Sequence, residues 1–312
     1  MLESFLVSFV QMLKLFLFIA VGYLFNRFSL LPKSAELVIS KLNTLLFVPM
    51  LTLSAFISDC TVKNLTENSS FVLWGILFAL LPMLFVYPLS RRFSNNLYEQ
   101  GIWHYAITIP NTGAFATALS LSLYGNQGFF LRSLFALGLN LLCYSWGIQQ
   151  LKPVGEKHDF KTVMKALANP SMISIVLGLI LGLCNAGSWM PVIILDSVSL
   201  FGSFFVPMSL FVTGFMVADY DFKTILPGKG FWPFVLIRMI IIPLFAVLLL
   251  KAIHAPQMLA VIAGMCLASP CGMNTVVFPA SYGLDCRLGV TLVLFTSLLA
   301  GVIIPVLYSV SL

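Results

Sequence analysis

The sequence predicts an all-α polytopic membrane protein of ten spans, arranged as two inverted halves of five. Composition, the distribution of Lys and Arg between loops, and an internal repeat predict it. Of the 312 residues, 60% are hydrophobic and only 9% are charged, and mean hydropathy is +1.01. Charged residues make up about a quarter of an ordinary globular chain, so a soluble domain of this size has no means of hiding that much apolar surface. The net charge of +6 does not point to nucleic acid, because membrane proteins gather a basic balance in their cytoplasmic loops. The six cysteines form no C-x-x-C pair and no metal-ligand spacing. Cys143, Cys184, Cys266 and Cys271 fall inside apolar runs, where cysteine behaves as a small hydrophobe. No metal, cofactor or disulfide framework is expected. The N-terminus has no basic stretch before its apolar run, and Lys14 interrupts that run, so it reads as a first span rather than a cleaved signal peptide.

A helix needs about 20 apolar residues to cross the hydrocarbon. Ten runs qualify: 5–27, 36–58, 71–91, 99–124, 127–151, 170–187, 190–218, 231–251, 256–283 and 288–309. The sixth is short, and the fourth and ninth are interrupted. The halves are residues 1–151 and 170–312, joined by a cytoplasmic linker, 152–169, with no room for a soluble domain. The odd-numbered loops hold Arg27, Lys33, Arg91, Arg92, Lys152, Lys157, Lys161, Lys165, Lys223, Lys229 and Arg287, whereas the even-numbered ones hold little beyond Lys63 and Lys251. The basic side is cytoplasmic, which puts both termini outside. Asn64-Leu65-Thr66 and Asn68-Ser69-Ser70 match the glycosylation sequon in an outside loop, which matters only in a eukaryotic secretory pathway.

The repeat is carried by a common offset of 158 residues. Phe47-Val48-Pro49-Met50 recurs as Phe205-Val206-Pro207-Met208; Trp74 meets Trp232, Thr117 meets Thr275, and Tyr124-Gly125 meets Tyr282-Gly283. Spans two, three and four move onto seven, eight and nine. Five spans per half is odd, so the second half enters from the opposite side, the usual construction of a secondary transporter. The two interrupted spans are then equivalent. One is broken at Pro110-Asn111-Thr112-Gly113, the other at Ser269-Pro270-Cys271-Gly272-Met273-Asn274. Proline removes a backbone hydrogen bond and glycine loosens the chain, and such a break survives in lipid only inside protein or beside a wet cavity. Past each proline a half-helix begins, whose first amides carry partial positive charge and attract anions. Asn111 and Thr112 cap such a start well and also hydrogen-bond carboxylates, as does Asn274 in the other break. Neither break contains Lys or Arg.

Several motifs together resemble the auxin efflux carrier family. They are Val21-Gly22-Tyr23-Leu24 with Ser29-Leu30-Leu31-Pro32, Phe47-Val48-Pro49, Asn111-x-Gly113 with Tyr124-Gly125, and Ser269-Pro270 with Tyr282-Gly283-Leu284-Asp285. The resemblance covers essentially the whole chain. It implies a scaffold of spans one, two, six and seven and a moving domain of three to five and eight to ten, with spans four and nine crossing at their proline breaks. It also implies carriage of small organic anions: auxin in plants, and malonate, malate or similar acids in bacteria. The short central loop departs from the long-loop plant carriers and favours a bacterial type.

The substrate site is expected at Pro110, Asn111, Thr112, Gly113, Pro270, Cys271, Gly272 and Asn274, with Asn43 and Thr44 facing the cavity from span two. Pro49 and Pro207 are expected to bend scaffold spans. Asp196 and His104 are the candidates for proton coupling, although an interfacial place also suits His104. Arg132 and Arg238, inside apolar runs, are functional suspects by default or else snorkel to a helix end. Asp285 is placed in a cytoplasmic loop near Arg287, and His158 and Asp159 read as solvated. The crossing offers Asn111, Thr112, Asn274 and Thr275 but no carboxylate, which favours proton coupling or potential-driven uniport. A sodium symporter of the bile acid type, or a channel or sensor on the same fold, is the alternative. H-E-x-x-H, G-x-S-x-G and paired intramembrane aspartates are missing, so no enzyme is expected. The expected partners are a small organic anion and membrane lipid, not nucleic acid, with homodimerisation left open. The expected place is the cell membrane. Substrate identity and direction of transport stay open.

Overall fold

The computed structural model describes residues 2–153, 155, 164, 168–219, 227–228 and 230–312. The expectations for His158, Asp159, Lys157, Lys161, Lys165, Lys223 and Lys229 lie outside the described residues. Among the described residues every regular element is helical, and the one extended pairing is an isolated bridge.

The first half opens with α1 (Leu2–Arg27). α2 (Ala35–Leu42) runs through a π-helical turn (Asn43–Phe47) into α3 (Val48–Asp59). Pro49 would clash with the carbonyl four residues back, at Leu45; the wide turn falls there and absorbs it. The same device recurs at Pro243. α4 (Val62–Asn68) starts at Thr61, whose hydroxyl accepts the Asn64 N–H. α5 (Ser70–Leu80) and α6 (Val86–Phe93) flank a 3₁₀ turn at Pro82. α7 (Leu97–Thr108) is capped by Asn96. After a break, a π turn (Thr112–Ala116) leads into α8 (Thr117–Leu142), a second π turn (Cys143–Gly147) and a 3₁₀ turn (Ile148–Leu151).

In the second half α9 (Pro170–Leu183) is capped by Asn169, with Pro170 in its first turn. α10 (Ala186–Trp189), α11 (Val192–Ser203) and α12 (Phe205–Val217) follow. α13 (Phe231–Val235) passes through a π turn (Leu236–Ile241) into α14 (Ile242–Ala252). α15 (Gln257–Leu267), α16 (Asn274–Ser281) and α17 (Arg287–Ser311) complete the chain.

Among the described residues seven stretches are long and apolar enough to cross a membrane: Phe5–Arg27, Ala35–Asp59, Val62–Leu84, Thr112–Leu151, Val192–Val217, Phe231–Ala252 and Arg287–Ser311. Ten apolar runs yield seven such stretches for local reasons. The fourth run is cut, and its second part continues into the fifth through a sharp turn at Gly125. The sixth ends at Leu183, and the ninth is divided between α15 and α16. Gly125 and Gly283, 158 residues apart, sit at φ +60° and +69°, a conformation that a Cβ would strain.

α1 packs along α12, and α9 along α3. A Cβ on Gly22 would stand 1.9 Å from the Phe211 carbonyl oxygen, and one on Gly214 1.8 Å from that of Ile19. Such close backbone approach is how apolar helices associate where lipid removes the hydrophobic drive. Elsewhere α5 packs on α8, and α15 packs on α14, α17 and α8. Leu17, Leu73, Ile193 and Trp232 are exposed on the outer surface, as suits a lipid-facing skin.

Loop contacts sort by number. Lys33 Nζ lies 2.9 Å from Asp219 Oδ1, joining loops one and seven. The Tyr98 hydroxyl donates to the Asp285 carbonyl at 2.6 Å, joining loops three and nine, and Arg287 forks onto the Asp285 carboxylate. Lys251 Nζ donates to the Val310 carbonyl at 2.7 Å, so loop eight meets the C-terminus instead.

Candidate functional site

The two breaks meet. Ile109 to Asn111 leave helical geometry, and Pro110 pairs antiparallel with Cys271. The Asn111 N–H donates to the Pro270 carbonyl at 2.8 Å. Backbone that leaves a helix in an apolar setting must find partners, and here the Pro270 carbonyl of the second break supplies one to the first.

Each break is also held locally. Asn111 Oδ1 accepts the Gly113 N–H at 3.2 Å, capping the half-helix that starts at Thr112. In the second break the Cys271 N–H donates to Thr296 Oγ1 of α17 at 3.0 Å. The Thr275 hydroxyl donates to the Gly272 carbonyl at 2.8 Å. No side chain caps α16; the Thr275 and Val276 N–H donate to the Gly272 and Met273 carbonyls at 3.1 and 2.9 Å. Asn274 Nδ2 donates to the Tyr105 hydroxyl at 2.8 Å, and that hydroxyl lies 3.2 Å from Cys143 Sγ. This polar link ties α7, α16 and the wide turn after α8 together at the crossing.

A cavity of about 540 Å³ opens against the crossing, a size that suits a small ligand. Pro110, Asn111, Thr112 and Gly113 line it from one break, and Gly272, Met273 and Asn274 from the other. Its lining continues to Glu36 and Ser40 in α2, Ser171 in α9, and Thr213 and Met216 in α12. Those positions adjoin loops one, five and seven, the basic, odd-numbered side. α4 and α10, on the even-numbered side, contribute nothing to it.

Of the residues expected in the site, Pro110, Asn111, Thr112, Gly113, Gly272, Asn274, Asn43 and Thr44 line the cavity. Asn43 Oδ1 is buried without a hydrogen-bond partner, and the Thr44 hydroxyl donates to the Ser40 carbonyl at 2.9 Å. Pro270 and Cys271 stand behind the wall, spent on the pairing between the breaks. Asp196 is exposed on α11, away from the cavity.

Two expectations are corrected. His104 is enclosed in protein rather than free at a surface: it is 7% exposed, with Nε2 2.8 Å from Ser90 Oγ and Nδ1 2.9 Å from Gln150 Oε1. Its ring packs on Tyr87 and it does not line the cavity. The reason is that α6 and the Ile148–Leu151 turn pack over α7, burying every residue from Gly101 to Thr108. Nor do Arg132 and Arg238 snorkel. Arg132 Nη2 donates to the Thr112 carbonyl, and Arg238 Nη1 donates to the Leu267 carbonyl at the end of α15. Leu267 ends α15, where helical carbonyls lack partners, and Arg238 supplies one; the Thr112 carbonyl takes Arg132 beside the Thr117 hydroxyl. Arg132 lines the cavity; Arg238 is 2% exposed and does not. Sequence reasoning also passed over Tyr105, Asn140, Cys143 and Tyr144 in the wall. The usable signal for Arg132 was its charge within an apolar run, a functional suspect by default. Among the described residues no cluster of His, Cys, Asp or Glu is placed to hold a metal.

No curated protein matches the sequence. The family model described as membrane transport protein matches residues 7–308, nearly the whole chain. A polytopic helical chain with paired helix breaks around a cavity fits that match, and the chain belongs to this membrane transport family, that of the auxin efflux carriers.

Proposed function

We propose that the protein is a secondary carrier of small organic anions, mono- or dicarboxylates, working by alternating access. The observation that carries this reading is the meeting of two helix breaks on the wall of the 540 Å³ cavity, with half-helix starts at Thr112 and Asn274. Those starts present partial positive charge to a carboxylate. The substrate residues of the proposal are Pro110, Asn111, Thr112, Gly113, Gly272, Asn274 and Asn43, with Thr44 at the cavity wall. Pro270 and Cys271 support them from behind.

The architecture proposed is five plus five spans in an inverted repeat, residues 1–151 and 170–312. α1, α2–α3, α9 and α11–α12 form the scaffold, and the remaining spans form the moving domain. Support comes from the packing of α1 on α12 and of α3 on α9. These pair span one with seven and span two with six, the exchange that a two-fold relation between halves requires. The one-sided cavity favours a carrier over a channel, since a channel needs continuous access. With basic loops cytoplasmic, that cavity faces inward and the protein sits in the cell membrane as a multi-pass carrier.

Among the described residues no carboxylate stands at the crossing, so potential-driven uniport or proton coupling is preferred to sodium symport. The test is uptake of labelled carboxylates into proteoliposomes with sodium, pH and voltage gradients imposed one at a time. Accumulation driven by voltage or pH supports the reading. A strict sodium requirement overturns the coupling, and equilibration without accumulation under any gradient overturns the driven carrier.

A further inference from the structure

We infer that Arg132 is the counter-charge for the ligand's carboxylate, held in reserve on the Thr112 carbonyl while the site is empty. This rests on the reading of the cavity as an organic-anion site. Arg132 lines that cavity from α8. One of its donors, on Nη2, is used on the Thr112 carbonyl; Nε is buried and has no partner. Among the described residues no carboxylate pairs with it. The charged cavity-lining residues are Arg132 and Glu36. Glu36 stands seven residues before Asn43, about 10 Å along the helix axis and toward the mouth. The guanidinium also lies over the Phe129 ring, 5.7 Å from its centroid, and these neutral partners leave its charge free to take an anion that enters the cavity.

The placement makes the exchange direct. Thr112 belongs to the same half-helix start that Asn111 caps, so the guanidinium already lies at the segment whose amides would face the ligand. A guanidinium offers five donors in a planar fork that matches a carboxylate in two-point contact, which an ammonium does not reproduce. A carboxylate entering between the fork and the capped turn gains a charged partner. The Thr112 carbonyl keeps the Thr117 hydroxyl, which donates to it at 3.3 Å. Arg238 supplies the internal comparison. It caps the Leu267 carbonyl in the same way, and its Nε and Nη2 are also unpartnered, but it is sealed from the cavity.

The experiment is a thermal-shift titration of the purified full chain in detergent with acetate, malonate and, as an uncharged comparison, malonamide, at constant ionic strength. Wild type, R132Q, R132K and R238Q are compared, with size-exclusion profiles to establish folding. Acetate or malonate should stabilise wild type and malonamide should not. R132Q should bind about 10- to 100-fold more weakly, the range for losing one charge-assisted contact. R132K should not restore binding, and it carries the comparison if R132Q fails to fold. R238Q should melt earlier yet keep the carboxylate shift. An undiminished carboxylate shift in R132Q, or no shift in wild type, overturns the assignment. Parallel uptake assays separate the two claims. Binding lost in R132Q without accumulation by wild type upholds Arg132 and removes the carrier, whereas accumulation that survives R132Q removes Arg132 and keeps the carrier.

Discussion

Replacing Tyr105 by Phe isolates the polar link at the crossing. The side chain is 1% exposed, and its ring is gripped on both sides. A Cβ built on Gly147 would stand 3.2 Å from the ring, and one on Gly272 3.4 Å from its hydroxyl. Phe keeps that ring, so the packing change is small and the loss is confined to the hydroxyl. Asn274 Nδ2 then keeps only Cys143 Sγ, at 3.8 Å. A buried donor stripped of its partner costs about 1–3 kcal/mol. Asn274 borders the cavity, where water supplies a substitute, so the lower end is expected. Interhelical hydrogen bonds in membrane proteins couple by about 0.6 kcal/mol on average and reach about 1.7 kcal/mol. The double cycle of Tyr105→Phe with Asn274→Ala should therefore show about 0.6–1.7 kcal/mol of coupling in reversible unfolding from mixed micelles. Strict additivity, with Tyr105→Phe as stable as wild type, would refute the link.

Asn111→Ala should leave the protein folded, since losing a cap costs about 0.5–2 kcal/mol, while carboxylate uptake in proteoliposomes falls about tenfold or more; unchanged uptake removes Asn111 from the site. Gly214→Leu should abolish the folded monomer on size exclusion, because the new side chain would begin 1.8 Å from the Ile19 carbonyl oxygen. Gly125→Ala and Gly283→Ala have open space around them and should each cost about 1–3 kcal/mol, from the backbone conformation alone, measured by chemical unfolding. The hydrogen bonds from Arg287 hold the Asp285 carboxyl below the ordinary carboxylate range, so Arg287→Gln should move its titration upward in a carboxylate-resolved NMR experiment. The sign follows from the depressed value: the pair's small contribution is present above the unfolded pKa and is lost as pH falls through the folded one.

Proline, glycine and asparagine act within a turn or two, so the breaks at Pro110 and Pro270 and the turns at Gly125 and Gly283 were readable from the sequence. The repeat gave those breaks a common level, but not the pairing of Pro110 with Cys271, which depends on how two distant segments dock. Arg132 and Arg238 were left undecided because their partners are backbone carbonyls, groups that every residue carries. The enclosure of His104 was not readable, because it depends on α6 and the Ile148–Leu151 turn packing over α7. Tyr105 and Cys143 sat in apolar stretches with nothing local to separate wall from core. Their role appears only once Asn274 arrives from 131 positions beyond Cys143.

Three π turns, Asn43–Phe47, Thr112–Ala116 and Cys143–Gly147, each contribute side chains to the cavity wall. A π turn holds one residue more than an α turn. Tightening one to α geometry would twist everything beyond it by about 100° and advance it by about 1.5 Å, a screw stroke with the rest of the rod intact. Two such strokes, at Thr112–Ala116 and Cys143–Gly147, are wound into the wall of one chamber, while Pro49 holds the third turn wide.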